Sequence, residues 1–178
     1  MAEVETKELT LADLEKEVSE QQEKEINTGT KHQLIVFKLG VEEYALNIEQ
    51  IKEVVITPNI ANIPQTPSYI KGVANIRGTI IAIVDLNDKF NIGGKEGEIG
   101  KFTLVVESEE FKIGILVKEV PNTLTVWDKE IETNLSVLQY SDLDEECING
   151  IVKKGDRMII IVDMIKMMNL DDFKKFHK

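Results

Sequence analysis

Histidines, cysteines and paired carboxylates carry most protein catalysis, and this sequence holds few arrangements of them. Its two histidines, His32 and His177, both lie near segment ends. A general base working near neutral pH would have to be one of these, and both positions read as exposed. The single cysteine, Cys147, can form neither an intrachain disulfide nor a Cys-rich zinc site. It stands before a strand-like Ile-Asn-Gly with no histidine placed to activate it, so it reads as a small buried hydrophobe. Asp85 and Asp163 occupy matching places in two similar stretches, and two carboxylates that share a proton could perform acid hydrolysis. That chemistry needs a small residue and Gly after each Asp, whereas Leu86-Asn87 and Met164-Ile165 follow. Each Asp therefore reads as the cap of the turn or helix after its strand. An acid hydrolase using Asp85 and Asp163 is the remote enzymatic alternative.

Other chemistries find less support. Gly100-Lys101 would require Gly at 95 and Ser or Thr at 102 to cradle a phosphate, but Lys95 and Phe102 stand there. Asp142, Asp144, Glu145 and Glu146 form a dense acidic run without calcium-ligand spacing. No cofactor or metal is expected. Trp127 stands alone and reads as a core or barrel-end residue. Two charges are notable for their setting. Glu53 sits inside an apolar β-run, and Arg77 precedes Gly78 at a hairpin tip. If the fold brings them together, they form a surface ion pair suited to recognition more than to stability.

The elements that would position these residues read as β-strands. Leu34 to Leu39, Tyr44 to Ile48 and Ile51 to Ile56 are short apolar or β-branched runs, and Gly40 to Glu43 is turn-like. Pro58, Pro64 and Pro67 mark a loop. Ile76-Arg77-Gly78-Thr79 reads as a tight hairpin, and Ile80 to Leu86 as a strand buried on both faces. Tyr69 to Ile92 then recurs as Cys147 to Leu170 at an offset of 78 without a gap; Gly72, Ile83, Val84 and Asp85 match Gly150, Ile161, Val162 and Asp163. Ile51-Lys52-Glu53-Val54 also matches Val117-Lys118-Glu119-Val120 at an offset of 66. Each copy holds about five short strands, and small all-β units usually remove their edges by closing. The expected fold is all-β: two tandem five-stranded barrels related by a pseudo-twofold axis.

The chain has 178 residues and a net charge of -11, which disfavours nucleic acid and anionic membranes as partners. No secretory signal opens it, and no apolar stretch approaches a membrane span. A cytoplasmic protein, monomeric in isolation, is expected. Residues 1–31 hold nine acids and four bases and no aromatic residue, an acidic tail in which Leu11, Leu14 and Val18 could share one helical face. Of the two barrels, the first is expected over about 32–93 and the second over about 101–170. A terminal helix is expected over about 169–178, pinned by Phe173 and Phe176.

Several motifs carry a family resemblance over about residues 33–170. They are Phe37 to Tyr44, Ile51 to Val55, Ile63-Pro64-Gln65-Thr66-Pro67 through Arg77-Gly78, Ile83 to Leu86, Ile113 to Val117, and Gly155 to Met158. The chain resembles the CheW-like family, the adaptor or coupling proteins of bacterial chemotaxis. The resemblance implies two intertwined SH3-like barrels and no enzymatic activity. It implies a scaffold between the cytoplasmic tips of transmembrane chemoreceptors and a chemotaxis histidine kinase whose regulatory domain is itself CheW-like. A different chemosensory or surface-motility pathway is the alternative setting. It assigns Ile51, Glu53, Val55 and Arg77, with Gly114, Ile115, Val117 and Val120, to a receptor-binding groove. It assigns Ile56, Ile63, Pro64, Tyr69, Gly72 and Gly78 to kinase contact. Lys118 departs from the family, which usually has Asp there. An amphipathic helical tip in an apolar groove is a common recognition mode.

Overall fold

A computed structural model describes residues 11–12, 15–16, 18–20, 29–92, 99–138 and 145–169. Among the described residues there are eleven strands: β1 (Lys31–Leu39), β2 (Glu42–Asn47), β3 (Ile51–Ile56), β4 (Ile70–Ile76), β5 (Thr79–Val84), β6 (Phe102–Glu107), β7 (Lys112–Val117), β8 (Asn122–Trp127), β9 (Ile131–Glu132), β10 (Ile148–Lys154) and β11 (Arg157–Val162). Two short helices follow β5 and β11, α1 (Leu86–Lys89) and α2 (Met164–Asn169). No helix among the described residues is long and apolar enough to cross a membrane.

The strands form two sheets with matching orders. One runs β8-β1-β2-β11-β10-β9 and the other β3-β6-β7-β5-β4. The expected all-β, two-barrel fold is present, but the halves of the chain are interleaved. The hairpin β1–β2 joins the strands of the second half, and β6–β7 joins those of the first. The segments 32–93 and 101–170 therefore do not each contain one sheet. The exchange is made by two parallel pairings, β2 with β11 and β5 with β7, and by the antiparallel pairings β1 with β8 and β3 with β6.

The 78-residue repeat is reproduced in detail. β4 and β10 carry the same register irregularity, between Ile70 and Gly72 and between Ile148 and Gly150. Asp85 N–H donates to the Tyr69 carbonyl, and Asp163 N–H to that of Cys147, each at 2.8 Å. The second block, however, is three residues out of register. Val36 lies between Ala45 and Asn122, and Val105 lies between Gly114 and Glu53. Glu53 thus corresponds to Asn122. Glu119 lies in the bend between β7 and β8.

Three apolar cores account for the long apolar runs. One sheet buries Leu34, Val36, Val126, Val152, Ile159 and Ile161 in its own cluster. The other buries Ala74, Ile76, Ile81, Ile83, Val105 and Leu116. The remaining inward residues of both sheets, including Phe37, Tyr44, Leu104, Ile115 and Ile160, meet in a shared central core. Strands such as β5 and β11 face apolar surroundings on both sides, so their sequences do not alternate.

The Asp85 and Asp163 carboxylates cap separate helices. Asp85 Oδ1 accepts from Asn87 N at 2.9 Å, and Asp163 Oδ1 from Ile165 N at 2.9 Å and Lys166 N at 3.2 Å. Each carboxylate is committed to the first turn of its own helix, which removes the acid-hydrolase alternative. The Asp163 cap starts α2 at Met164, and Met164, Met167 and Met168 drive it into the central core; the terminal helix expected over about 169–178 falls, beyond Asn169, outside the described residues. Phe173, Phe176 and His177 lie outside the described residues.

Because four of the nine strand pairings among the described residues cross between halves, neither half holds a complete sheet. We expect residues 32–92 and 99–169, produced separately, to lack cooperative unfolding, and their co-expression to restore it. Circular dichroism melts of each fragment and of the mixture check this.

Candidate protein-interaction site

The β4–β5 hairpin turns through Arg77 and Gly78, whose φ values are 50° and 86°. Two successive positive φ values are those of a type I′ turn, whose twist suits a tight hairpin. The Asn75 side chain accepts from Gly78 N at 2.8 Å and fixes the turn. This geometry projects Arg77 toward β3, where its Nε donates to Glu53 Oε2 at 2.6 Å. The fold therefore does bring these two residues together. The Glu53 side chain is only 18% exposed, while that of Arg77 is 79% exposed. So exposed a pair contributes about 0–1 kcal/mol, and its main effect is to hold a guanidinium in a defined direction.

Apolar residues flank this pair. On β3, Ile51, Glu53 and Val55 are half-buried, while Val54 and Ile56 point outward, Ile56 at 79% exposure. Ile80, just past the turn, is also exposed. Ile63 and Pro64 are exposed in the preceding loop.

Other expected site residues lie elsewhere. Ile115 and Val117 are buried in β7, which β6 and β5 flank on either side, so they are core residues and not groove lining. Gly114 is a packing position: a Cβ there would come within 2.5 Å of Thr103 Cγ2. Val120 is exposed in the bend after β7. Tyr69 is buried, with Lys89 Nζ 4.5 Å from its ring centroid. Gly72 is buried at a φ of 136°, and a Cβ would lie 2.1 Å from the Ala61 carbonyl oxygen. Neither Tyr69 nor Gly72 offers a surface to a partner.

A second Glu–Arg pair was not anticipated. Arg157 opens β11 and grips Glu43 of β2 through Nε and Nη2, each at 2.8 Å. The hydrogen bonds from Arg157 hold the Glu43 carboxyl below its ordinary range. Val41, at 97% exposure, and Met158 flank this pair in a cavity of about 450 Å³ that Lys38 and Asp156 also line. Only the topology reveals the pair, since β2 and β11 are remote in sequence. His32 pairs with Asp128, whose Oδ2 also accepts from Thr30 N at 3.1 Å. The Asp128 carboxyl is lowered mainly by His32. Asp142 and Asp144 lie outside the described residues, and Glu145 and Glu146 are exposed. Among the described residues, no group of three His, Cys, Asp or Glu side chains is placed to hold a metal ion.

These contacts separate structural residues from surface ones. Gly72→Ala should cost about 3 kcal/mol by strain and overlap, whereas Arg77→Ala should leave stability nearly unchanged; urea titrations distinguish the two. The depressed Glu43 carboxyl stabilises the fold above the ordinary carboxylate pKa of about 4.3, and that contribution is lost as pH falls through the lower folded value. The stability gap between the native chain and Arg157→Ala should therefore narrow in acid, as urea midpoints at pH 7 and pH 3 would show.

The sequence pattern of the CheW-like domain matches residues 33–172. Among characterised relatives, the "Chemotaxis protein CheW" of Bacillus subtilis is 31% identical over 139 residues, covering 78% of this chain and 86% of that protein. That of Treponema pallidum is 28% identical over 147 residues, covering 80% and 85%. The crystal structure of the scaffolding protein TtCheW from Thermoanaerobacter tengcongensis superposes with a TM-score of 0.69 at 32% identity, covering 82% of this chain and 93% of that one. The interleaved barrels, the turn that aims Arg77 at Glu53 and this match across most of the chain lead to one conclusion: the chain belongs to the CheW-like family.

Proposed function

We propose that this chain is a non-enzymatic chemotaxis adaptor that couples the cytoplasmic tips of chemoreceptors to a chemotaxis histidine kinase. The observation that carries the reading is the Glu53–Arg77 pair on an exposed, partly apolar strand. A guanidinium held by one carboxylate keeps further N–H donors for a partner's acceptors. Val54, Ile56 and Ile80 supply apolar area beside it. Such a surface binds through a small apolar centre with a directed charge at its rim. The capped Asp85 and Asp163 have no free acid–base role.

In this reading the receptor tip uses Ile51, Glu53, Val55, Arg77 and Val120. The kinase's regulatory domain uses Ile56, Ile63, Pro64 and the turn at Gly78. The chain acts in the cytoplasm and is recruited to receptor arrays at the membrane. No phosphoryl group is transferred to it.

Pull-downs with receptor tips and kinase test the site. Arg77→Glu should weaken capture of at least one partner while the thermal melt is preserved. If both partners remain fully bound, the site assignment is wrong. Reconstitution tests the role: kinase activity in the presence of receptor should rise when this protein is added, and an unchanged rate would refute the adaptor reading.

A further inference from the structure

The two copies of the repeat build the same strands in opposite polarity at one place. Carrying the register of β3 and β6 onto β8 and β1 matches Val54 with Thr123 and Ile56 with Thr125. Continued past the strand ends, it matches Ile99 with Thr30. All six positions are exposed. The same register matches the inward Thr57 and Thr103 with the buried Val126 and Leu34. One barrel thus has threonines outside and apolar residues inside. The other has apolar residues outside, and inside it the Thr57 and Thr103 hydroxyls lie 3.1 Å apart, with Thr57 donating to the Gly100 carbonyl at 2.7 Å. The second barrel is an internal control: the fold does not require apolar side chains at positions 54, 56 and 99. Their retention on the first barrel marks an interaction surface.

That surface includes an open groove of about 770 Å³ lined by Ile56, Ile60, Ile99, Phe102 and Lys101. Lys101 makes no ion pair among the described residues. Apolar walls with an unpaired cation fit an acidic amphipathic helix. The chain carries such a segment. Residues 11–20 hold four acids and one base, with Leu11, Leu14 and Val18 at helical spacing. The described residues of this segment are helical, and Leu11 and Val18 are exposed at 80% and 52%.

We propose that the N-terminal helix docks in cis into this groove, its Leu and Val stripe on Ile56, Ile60 and Ile99 and its acids toward Lys101. In sequence, residues 21–30 join the segment to β1. Being on the same chain raises the segment's effective concentration at any site the linker spans, so a weak contact suffices. A docked tail covers Ile56 and competes with any partner that uses it.

Paramagnetic relaxation in the full-length protein tests this. A nitroxide is placed at Ala12→Cys, which spares the stripe, while the buried Cys147 is changed to Ala. Methyl signals of Ile60 and Ile99 should lose intensity in the oxidised label, and that of Thr125, at the matching place on the other barrel, should not. Ile56→Thr, the residue the other copy tolerates, and Lys101→Glu should each restore the Ile60 signal without lowering the melting temperature. Undiminished Ile60 and Ile99 signals, equal loss at Thr125, or no response to either substitution would overturn the proposal. Loss seen only between a nitroxide-bearing chain and a separate isotope-labelled chain would overturn docking in cis.

Discussion

The structure depends on two parallel strand pairings, β2 with β11 and β5 with β7. Each joins a hairpin of one half of the chain to a sheet otherwise built from the other half. Without them each half would expose unpaired N–H and C=O groups along its strands, which favour intermolecular pairing. With them, the inner faces of both sheets share one core that neither could bury alone. The exchange also fixes where the charged pairs form. Arg157 reaches Glu43 only because β2 lies beside β11. Glu53 and Arg77 meet across a sheet whose strand β3 is held by β6 of the other half.

Much of this fold is legible locally. Glycine, proline and β-branched runs locate most strands, and the repeat at an offset of 78 carries bulge, hairpin and capping Asp together. What could not be read is which strand neighbours which. Ile113 to Val117 and Tyr44 to Ile48 look like strands of their own halves because side-chain pattern reports burial and not partner identity. The false match at an offset of 66 has a related cause. Val-Lys-Glu-Val obeys the polarity of an edge strand, but Pro121 and Asn122 place the true start of β8 later.

The site was legible where its residues are held by a turn. Arg-Gly within a β-rich stretch signals a hairpin, and a Glu inside an apolar strand signals a partner; their contact joins the two signals. Ile115 and Val117 misled because an apolar strand residue can face a core or a groove with the same composition. Gly72 and Tyr69 misled for a different reason. Their motif is specific, but that specificity serves a backbone bulge and a packed ring. Glu43 with Arg157 stayed hidden because its partners are more than a hundred residues apart.

The exchanged hairpins also impose an order on synthesis. Sheet pairing among β3, β6, β7 and β5 can be complete once Val117 has emerged. The β1–β2 hairpin, made first, finds its partner β11 only when Val162 is released. At about 5–20 residues per second, that delay is on the order of ten seconds. During it, an apolar hairpin waits beside the ribosome with an open edge. Residues 1–30, ahead of it, carry nine acids and three bases, and like charges of that density repel one another. The edge of β2 is thus the one left open longest during synthesis.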